Sequence, residues 1–361
     1  MKISEKVPLA PLTTLRIGGP ARYLIEVASE SELTEALTFA HDKNLPIFIL
    51  GGGSNVLVSD QGFDGLVIQP KFTGISVHIE DTFSNDVASA VIVVAGAGEV
   101  LDDVISKTVD MGLWGLENMS FVPGTVGGAI IQNAGCYGQE IGEVVEGVHV
   151  YDRKQDEFDL LSHEQCHFTY RHSVFNTSAR DRYIILSVNL RLSKEGTPDI
   201  KYKDLQNFFG DRVPSQKELR EAVIEIRKSK GQDPREYWTA GSFFSNFKLS
   251  KSEFDNLCSK IKQEFGSEKA SELRDLVNKI IAPSDQDKIK VPAAWILDQL
   301  LRLKGTSVGG AMLSKLQVLN VLNTGHATAT DCVTLFHKVR NIVRAKTGLI
   351  LVTEPEFVGM L

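Results

Sequence analysis

Two glycine-rich stretches carry the first chemical signal in this sequence: Gly51-Gly52-Gly53-Ser54-Asn55, and further on Pro123-Gly124-Thr125-Val126-Gly127-Gly128. Glycine has no Cβ, so its backbone N–H can approach an anion closely. A single loop of this kind is often no more than a tight connection. Two of them in separate places suit a pyrophosphate gripped from both sides, hence a dinucleotide cofactor, with FAD favoured. The residues after the first loop exclude the commonest dinucleotide fold. Val56-Leu57-Val58 reads as a strand, where a Rossmann unit requires a helix.

Other chemistry-bearing residues exclude function classes rather than propose one. The four cysteines, Cys136, Cys166, Cys258 and Cys332, form no C-x-x-C pair and read as reduced thiols, most of them in the core. The eight histidines are scattered; His163 and His167 are four residues apart without the helical H-E-x-x-H arrangement, so no metal is expected. A net charge of −7 argues against nucleic acid, which calls for a basic face, and makes any anion site local. The first twenty residues have no apolar targeting segment and no run is long enough to span a bilayer, so a cytoplasmic protein without membrane insertion is expected.

The elements that must position the loops follow from periodicity. Residues 22–27, RYLIEV, read as a strand, and Ser29 with Glu32 as a capping box opening the next helix. A strand from Ile47 to Leu50 then enters the first glycine loop. A second strand from Ser89 to Ala95 leads into Gly96-Ala97-Gly98 and a helix in VLDDVISKTVDMG. Residues 121–138 hold too many glycines for a regular helix or strand and are expected as a loop. Residues 144–194 alternate like a mostly antiparallel sheet. From residue 216 a helix with Leu219, Val223 and Ile226 on its apolar face opens the last segment. Within it, the charged stretch from Lys248 to Lys288 is expected as a solvent-facing insertion and AAWILDQLL as a buried helix.

Several motifs then agree with one family. LRIGGPA at 15–21, ILGGGSNVLV at 49–58, GLENMSFVPGTVGGAIIQNAGCYG at 115–138, YRHSVF at 170–175, AGSFFSN at 240–246 and EPE at 354–356 together closely resemble the UDP-N-acetylenolpyruvoylglucosamine reductase family, essentially end to end. The resemblance implies an α+β fold. In it, a two-lobed FAD-binding domain of the vanillyl-alcohol-oxidase (PCMH) type, residues 1–72 and 73–215, precedes a C-terminal α+β substrate-binding domain, 216–361, whose last residues return to the active site. It implies non-covalent FAD, NADPH as co-substrate, a UDP-sugar substrate and a monomer.

The same resemblance assigns roles residue by residue. Ser242 matches the proton donor, Arg171 and Glu356 the pair that polarises the enolpyruvyl carboxylate. Gly51, Gly52, Gly53, Ser54, Asn55, Pro123, Gly124, Thr125, Gly127, Gly128, Asn133 and Arg227 fall to the cofactor, and Tyr137, Tyr202, Lys230 and Asn246 to the substrate. A hydroxyl can serve as acid toward a transient carbanion-like carbon, and an arginine fork can hold a carboxylate at two points. From type alone, Arg171 reads first as a surface ion-pair partner, a weighting that the motif reverses, and Ser242 has the alternative of a loop or capping serine. The chain departs from the family pattern at Gly231-Gln232, at Ser245 and Phe247, and directly after Glu356. Two other readings stay open on fold alone: a flavin oxidase of another substrate, or a silent nucleotide binder. Arg171, Ser242 and Glu356 occurring together argue against the first, and bound flavin at near stoichiometric occupancy would separate the enzyme from the second.

Overall fold

The structure, a computed structural model, describes residues 2–79, 90–279 and 288–360. It divides into two compact units, each assembled from separate parts of the chain. Unit 1 holds residues 1–7, 20–54 and 63–229; unit 2 holds 8–19, 55–62 and 230–361.

Unit 1 contains two main sheets, built from residues on either side of position 72, and a small two-stranded ribbon of Gly135–Cys136 with Gln139–Glu140. In the first, Pro20–Val27 and Ile47–Ile49 both pair in parallel with Phe63–Pro70. The helix Glu30–Asp42 buries Leu33, Ala36 and Ala40 against Ile25, Val27, Leu66 and Ile68. Its start forms only half of the expected capping box. The Ser29 hydroxyl accepts from Glu32 N–H, but the Glu32 carboxylate accepts from Ala28 N–H, one residue earlier than the box requires.

The second sheet is antiparallel throughout, in the order Glu157–Ser162, Val145–Asp152, Tyr183–Ser193, Ala90–Gly96, Ile75–Ile79. Alternate residues such as Val91, Val93, Val148, Val150, Val188 and Leu190 face one core, which the helices Leu101–Asp110 and Val126–Ile131 complete. Ser89, the expected first residue of its fourth strand, lies outside the described residues. The helix Gln216–Ser229 buries Leu219, Ala222, Val223 and Ile226 against Leu205, Phe209 and Tyr137, and so belongs to unit 1.

The expectation of an unbroken loop over residues 121–138 fails at Val126–Ile131, a helix that contains two glycines. Thr125 caps it, and Val126, Ala129 and Ile130 are buried beneath it. Gly127 is the close-approach point: a Cβ there would stand 2.9 Å from Ala97 Cβ. Packing outweighs the roughly 1 kcal/mol by which each glycine disfavours a helix.

Unit 2 is built on a four-stranded sheet in the order Trp238–Ser242, Asn320–Asn323, Ala311–Leu313, Ser307–Val308. Its core also takes Phe254, Leu257, Cys258 and Ile261 from the helix Lys251–Phe265, and Ala270 and Leu273 from Ser267–Asn278. The charged stretch is therefore a pair of amphipathic helices that helps to make the core, not a solvent-facing insertion; residues 280–287 within it lie outside the described ones. Ala293–Leu300 is helical and buried as expected, widening after Trp295 where Leu301 N–H bonds back to Ile296.

Candidate functional site

The two glycine loops meet inside unit 1. A Cβ on Gly52 would lie 2.6 Å from Gly124 Cα, and one on Gly51 2.9 Å from Thr125 Oγ1. The Ser54 hydroxyl donates to Pro123 O at 3.2 Å, and Gly124 holds φ +113°, a conformation closed to most side chains. Among the described residues, the amides of Gly51, Gly52, Ser54, Gly124 and Thr125 have no acceptor within the protein. Those of Gly127 and Gly128 are engaged, the first on Ala97 O at 2.9 Å and the second on the Thr125 hydroxyl at 3.4 Å. The result is a surface of five available N–H groups free of bulky side chains, which suits a diphosphate and through it a dinucleotide such as FAD.

The rest of the 121–138 segment is braced from several sides. Arg227, 8% exposed, donates from Nε to Phe121 O at 3.2 Å and from Nη1 to Cys136 Sγ at 3.1 Å. Asn133 is buried with φ +44°. Its Nδ2 donates to Glu140 Oε2 and Thr169 O, and its Oδ1 accepts from Gly142 N–H, so its carboxamide braces the loop. Tyr137 is buried with φ +45°, edge-on to Tyr202 at 5.1 Å between ring centroids. Burial pushes its hydroxyl well above the ordinary phenol range, so it stays protonated and able to donate. Tyr202 is half exposed at the start of the helix Lys203–Phe209.

Asn118 is a positioning residue that sequence reasoning passed over. Its Nδ2 donates to Tyr137 O at 2.9 Å and to Asp199 O at 2.8 Å, which fixes the backbone of Tyr137. The sequence signal is a polar pair, Glu117-Asn118, inside a largely apolar motif, and the structure buries both.

Arg171 sits in unit 1 on a tight turn closed by reciprocal backbone bonds between Thr169 and His172. Its own φ is +59°, and its Nη2 donates to Gly135 O at 3.1 Å. Asn176 Nδ2 donates to the Arg171 carbonyl at 3.1 Å, and Ser173 Oγ to Ile131 O at 2.6 Å. A non-glycine residue held in the left-handed region by that many contacts fits a residue whose direction matters.

Ser242 and Glu356 both belong to unit 2, where their motifs lie side by side. Glu354 N–H donates to Phe243 O at 3.1 Å and Ser245 N–H to Val352 O at 3.0 Å, which joins SFFSN to EPE. Glu356–Val358 pairs in parallel with Val56–Val58, with Glu356 opposite Val56. Asn55, the last residue of the first glycine loop, accepts from Glu356 N–H at 3.0 Å and donates from Nδ2 to Glu354 O at 3.2 Å. Within unit 2, Glu356 is thus fixed to Asn55 by a main-chain bond, and the neighbouring Glu354 by a side-chain one. Asn246 Oδ1 accepts from Ala293 N–H at 3.0 Å, which starts the buried helix there. Lys230 opens the long segment of unit 2.

Comparison with known proteins agrees with this layout. Residues 21–157 match the FAD binding domain family, and residues 233–358 match the UDP-N-acetylenolpyruvoylglucosamine reductase C-terminal domain. The UDP-N-acetylenolpyruvoylglucosamine reductase of Thermobifida fusca is 37% identical, the match covering 99% of this chain and 98% of that one. The Streptomyces coelicolor protein of the same name is 35% identical, with 98% and 89% covered. The crystal structure of the Thermus caldophilus enzyme of that type superposes with a TM-score of 0.62 at 24% identity over 99% of this chain and 98% of its own, a likeness of fold. The expected α+β arrangement, an FAD-binding domain followed by this reductase's C-terminal domain, is therefore the one present. With relatives this similar along nearly its whole length, the chain belongs to the UDP-N-acetylenolpyruvoylglucosamine reductase family.

Proposed function

We propose that this protein reduces UDP-N-acetylglucosamine enolpyruvate to UDP-N-acetylmuramate, with FAD as bound cofactor and NADPH as co-substrate, in the synthesis of peptidoglycan precursors. The observation that carries the reading is the set of five acceptor-free amides where the two glycine loops meet, in a chain of this family. FAD, when bound, supplies a two-electron carrier that takes hydride from NADPH and passes it to the enolpyruvyl double bond.

The residues of the chain do the rest. The amides of Gly51, Gly52, Ser54, Gly124 and Thr125 hold the cofactor diphosphate. The Arg171 fork holds the enolpyruvyl carboxylate, and Glu356 hydrogen-bonds the charge that develops on it. The Ser242 hydroxyl gives its proton to the carbon next to that carboxylate, so an O–H bond breaks as the C–H bond forms. Tyr137 lines the junction of flavin and substrate, Tyr202 offers an aromatic face with a hydroxyl to the nucleotide end, Lys230 a point charge to the UDP diphosphate, and Asn246 its carboxamide.

Among the described residues no helix is long and apolar enough to cross a membrane. The reading places the enzyme in the cytoplasm, where NADPH and UDP-sugars are available, and as a monomer. The test is the visible spectrum of the purified protein. A flavin band bleached anaerobically by NADPH and restored by UDP-N-acetylglucosamine enolpyruvate is expected. Reduced flavin that survives the substrate would refute the assignment.

A further inference from the structure

The strand Asn320–Asn323 has an asparagine at each end, and the two differ sharply in their bonding. Asn323 donates from Nδ2 to Leu15 O at 3.1 Å, and its Oδ1 accepts from Gly325 and Ala327 N–H, both at 2.9 Å. Asn320 has no exposed surface, yet neither its Nδ2 nor its Oδ1 meets a hydrogen-bond partner among the described residues. A carboxamide buried and unpaired is destabilising, and an apolar side chain of similar size would suit such a position better. Its neighbour offers an explanation.

Asn320 is the ladder partner of Ser242 across the antiparallel pair. Residues directly opposed in such a pair project from the same face, with Cβ atoms roughly 4.5–5.5 Å apart. The ladder is irregular between Thr239 and Ser242, where Gly241 takes φ +75° and Thr239 Oγ1 donates to Gly241 O at 3.3 Å. That irregularity sets which way Ser242 faces, and regular pairing resumes where it meets Asn320.

We infer that Asn320 is a positioning residue for Ser242, its unpaired carboxamide engaging the serine hydroxyl once substrate is bound, through one water or by a small turn of either side chain. The inference rests on the reading of Ser242 as proton donor. When that hydroxyl gives up its proton, negative charge passes from the substrate carbon to Oγ. An Nδ2–H donor beside Oγ stabilises the alkoxide, and a proton from solvent later restores the hydroxyl. The effect falls on the half-reaction in which Ser242 gives its proton to the substrate, and not on reduction of the flavin by NADPH.

The test uses the holoenzyme and follows flavin reduction and reoxidation separately. Asn320→Leu is expected to keep its flavin, to be reduced by NADPH at the wild-type rate, and to be reoxidised by UDP-N-acetylglucosamine enolpyruvate about 10-fold more slowly, as the loss of a bond to a charged oxygen implies. Its solvent deuterium isotope effect on reoxidation should rise, which a purely structural role would not cause. The double variant with Ser242→Ala should be no slower than Ser242→Ala alone. Wild-type reoxidation in Asn320→Leu beside a slow Ser242→Ala overturns the role of Asn320. Wild-type reoxidation in Ser242→Ala overturns the reading of Ser242 itself. Asn320→Asp keeps the side-chain shape and decides the matter even if the leucine variant does not fold. Its reoxidation should slow as rising pH ionises the new carboxylate, and a flat pH profile at the wild-type rate rejects the inference.

Discussion

Gly19 and Gly52 look alike in the sequence, each the second glycine of a run beside apolar residues, yet the structure gives them opposite tasks. A Cβ on Gly19 would stand 2.4 Å from Asp60 O and 2.5 Å from Gly62 N, so this glycine lets two segments of unit 2 close on each other. A Cβ on Gly52 would meet the Cα of another glycine, Gly124, at 2.6 Å. Glycine against ordinary backbone closes a core. Glycine against glycine keeps a surface of amides open. The LRIGG motif therefore reports stability and, on the proposed reading, the GGGSN motif a ligand, although the family pattern contains both.

The largest expected effect tests the second half of that comparison. Gly52→Ala must push the two loops apart, because the three atoms nearest its Cβ, Gly124 Cα, Gly124 C and Thr125 N, are all backbone. Flavin content after purification should fall by more than about tenfold, the equivalent of roughly 1.4 kcal/mol in binding. The separate fold of unit 2 should be untouched, as read by the circular dichroism of the protein. Full flavin occupancy in Gly52→Ala would mean that the amides gathered there do not hold the cofactor.

Gly19→Ala tests the other half and should act in the opposite sense. Overpacking against fixed backbone costs about 1–3 kcal/mol, so the melting temperature should drop by several degrees while flavin stoichiometry is unchanged. Loss of flavin with no loss of stability would erase the distinction between the two glycines.

What the sequence made legible divides along the same line. The glycine loops, the strand after the first of them and the antiparallel run over 144–194 were readable because each is a local pattern of a few residues. The pairing of Glu356–Val358 with Val56–Val58 was not, since three residues of parallel ladder between opposite ends of a chain leave no periodic trace. For that reason the membership of residues 8–19 and 55–62 in unit 2 is a finding of the structure. The error over 248–288 has another origin. Phe254, Leu257, Cys258 and Ile261 do repeat at helical spacing, and the density of surrounding charge obscured the pattern. The six-residue helix at Val126–Ile131 was hidden because its stability comes from packing, not from its glycine-rich sequence.

The smallest effect comes from the same junction that Gly19 closes. Asp60 lies between Gly19 and the long helix Ala329–Thr347 and caps that helix from outside: Oδ1 accepts from Ala329 N–H at 2.7 Å, and Oδ2 from Thr330 N–H at 3.0 Å and Thr330 Oγ1 at 2.8 Å. A carboxylate on the first turn also complements the helix dipole. Asp60→Ala removes those bonds, but Thr328 still caps the helix through its own hydroxyl, so the loss should stay near 1 kcal/mol and the melting temperature fall by about 2–4 °C. Asp60→Asn keeps an acceptor oxygen and should recover part of the loss. Flavin content and turnover should match wild type in both variants. A change in flavin content at Asp60 would show that this junction serves the cofactor as well as the core, and the contrast between the two glycines would then fail at its weaker end.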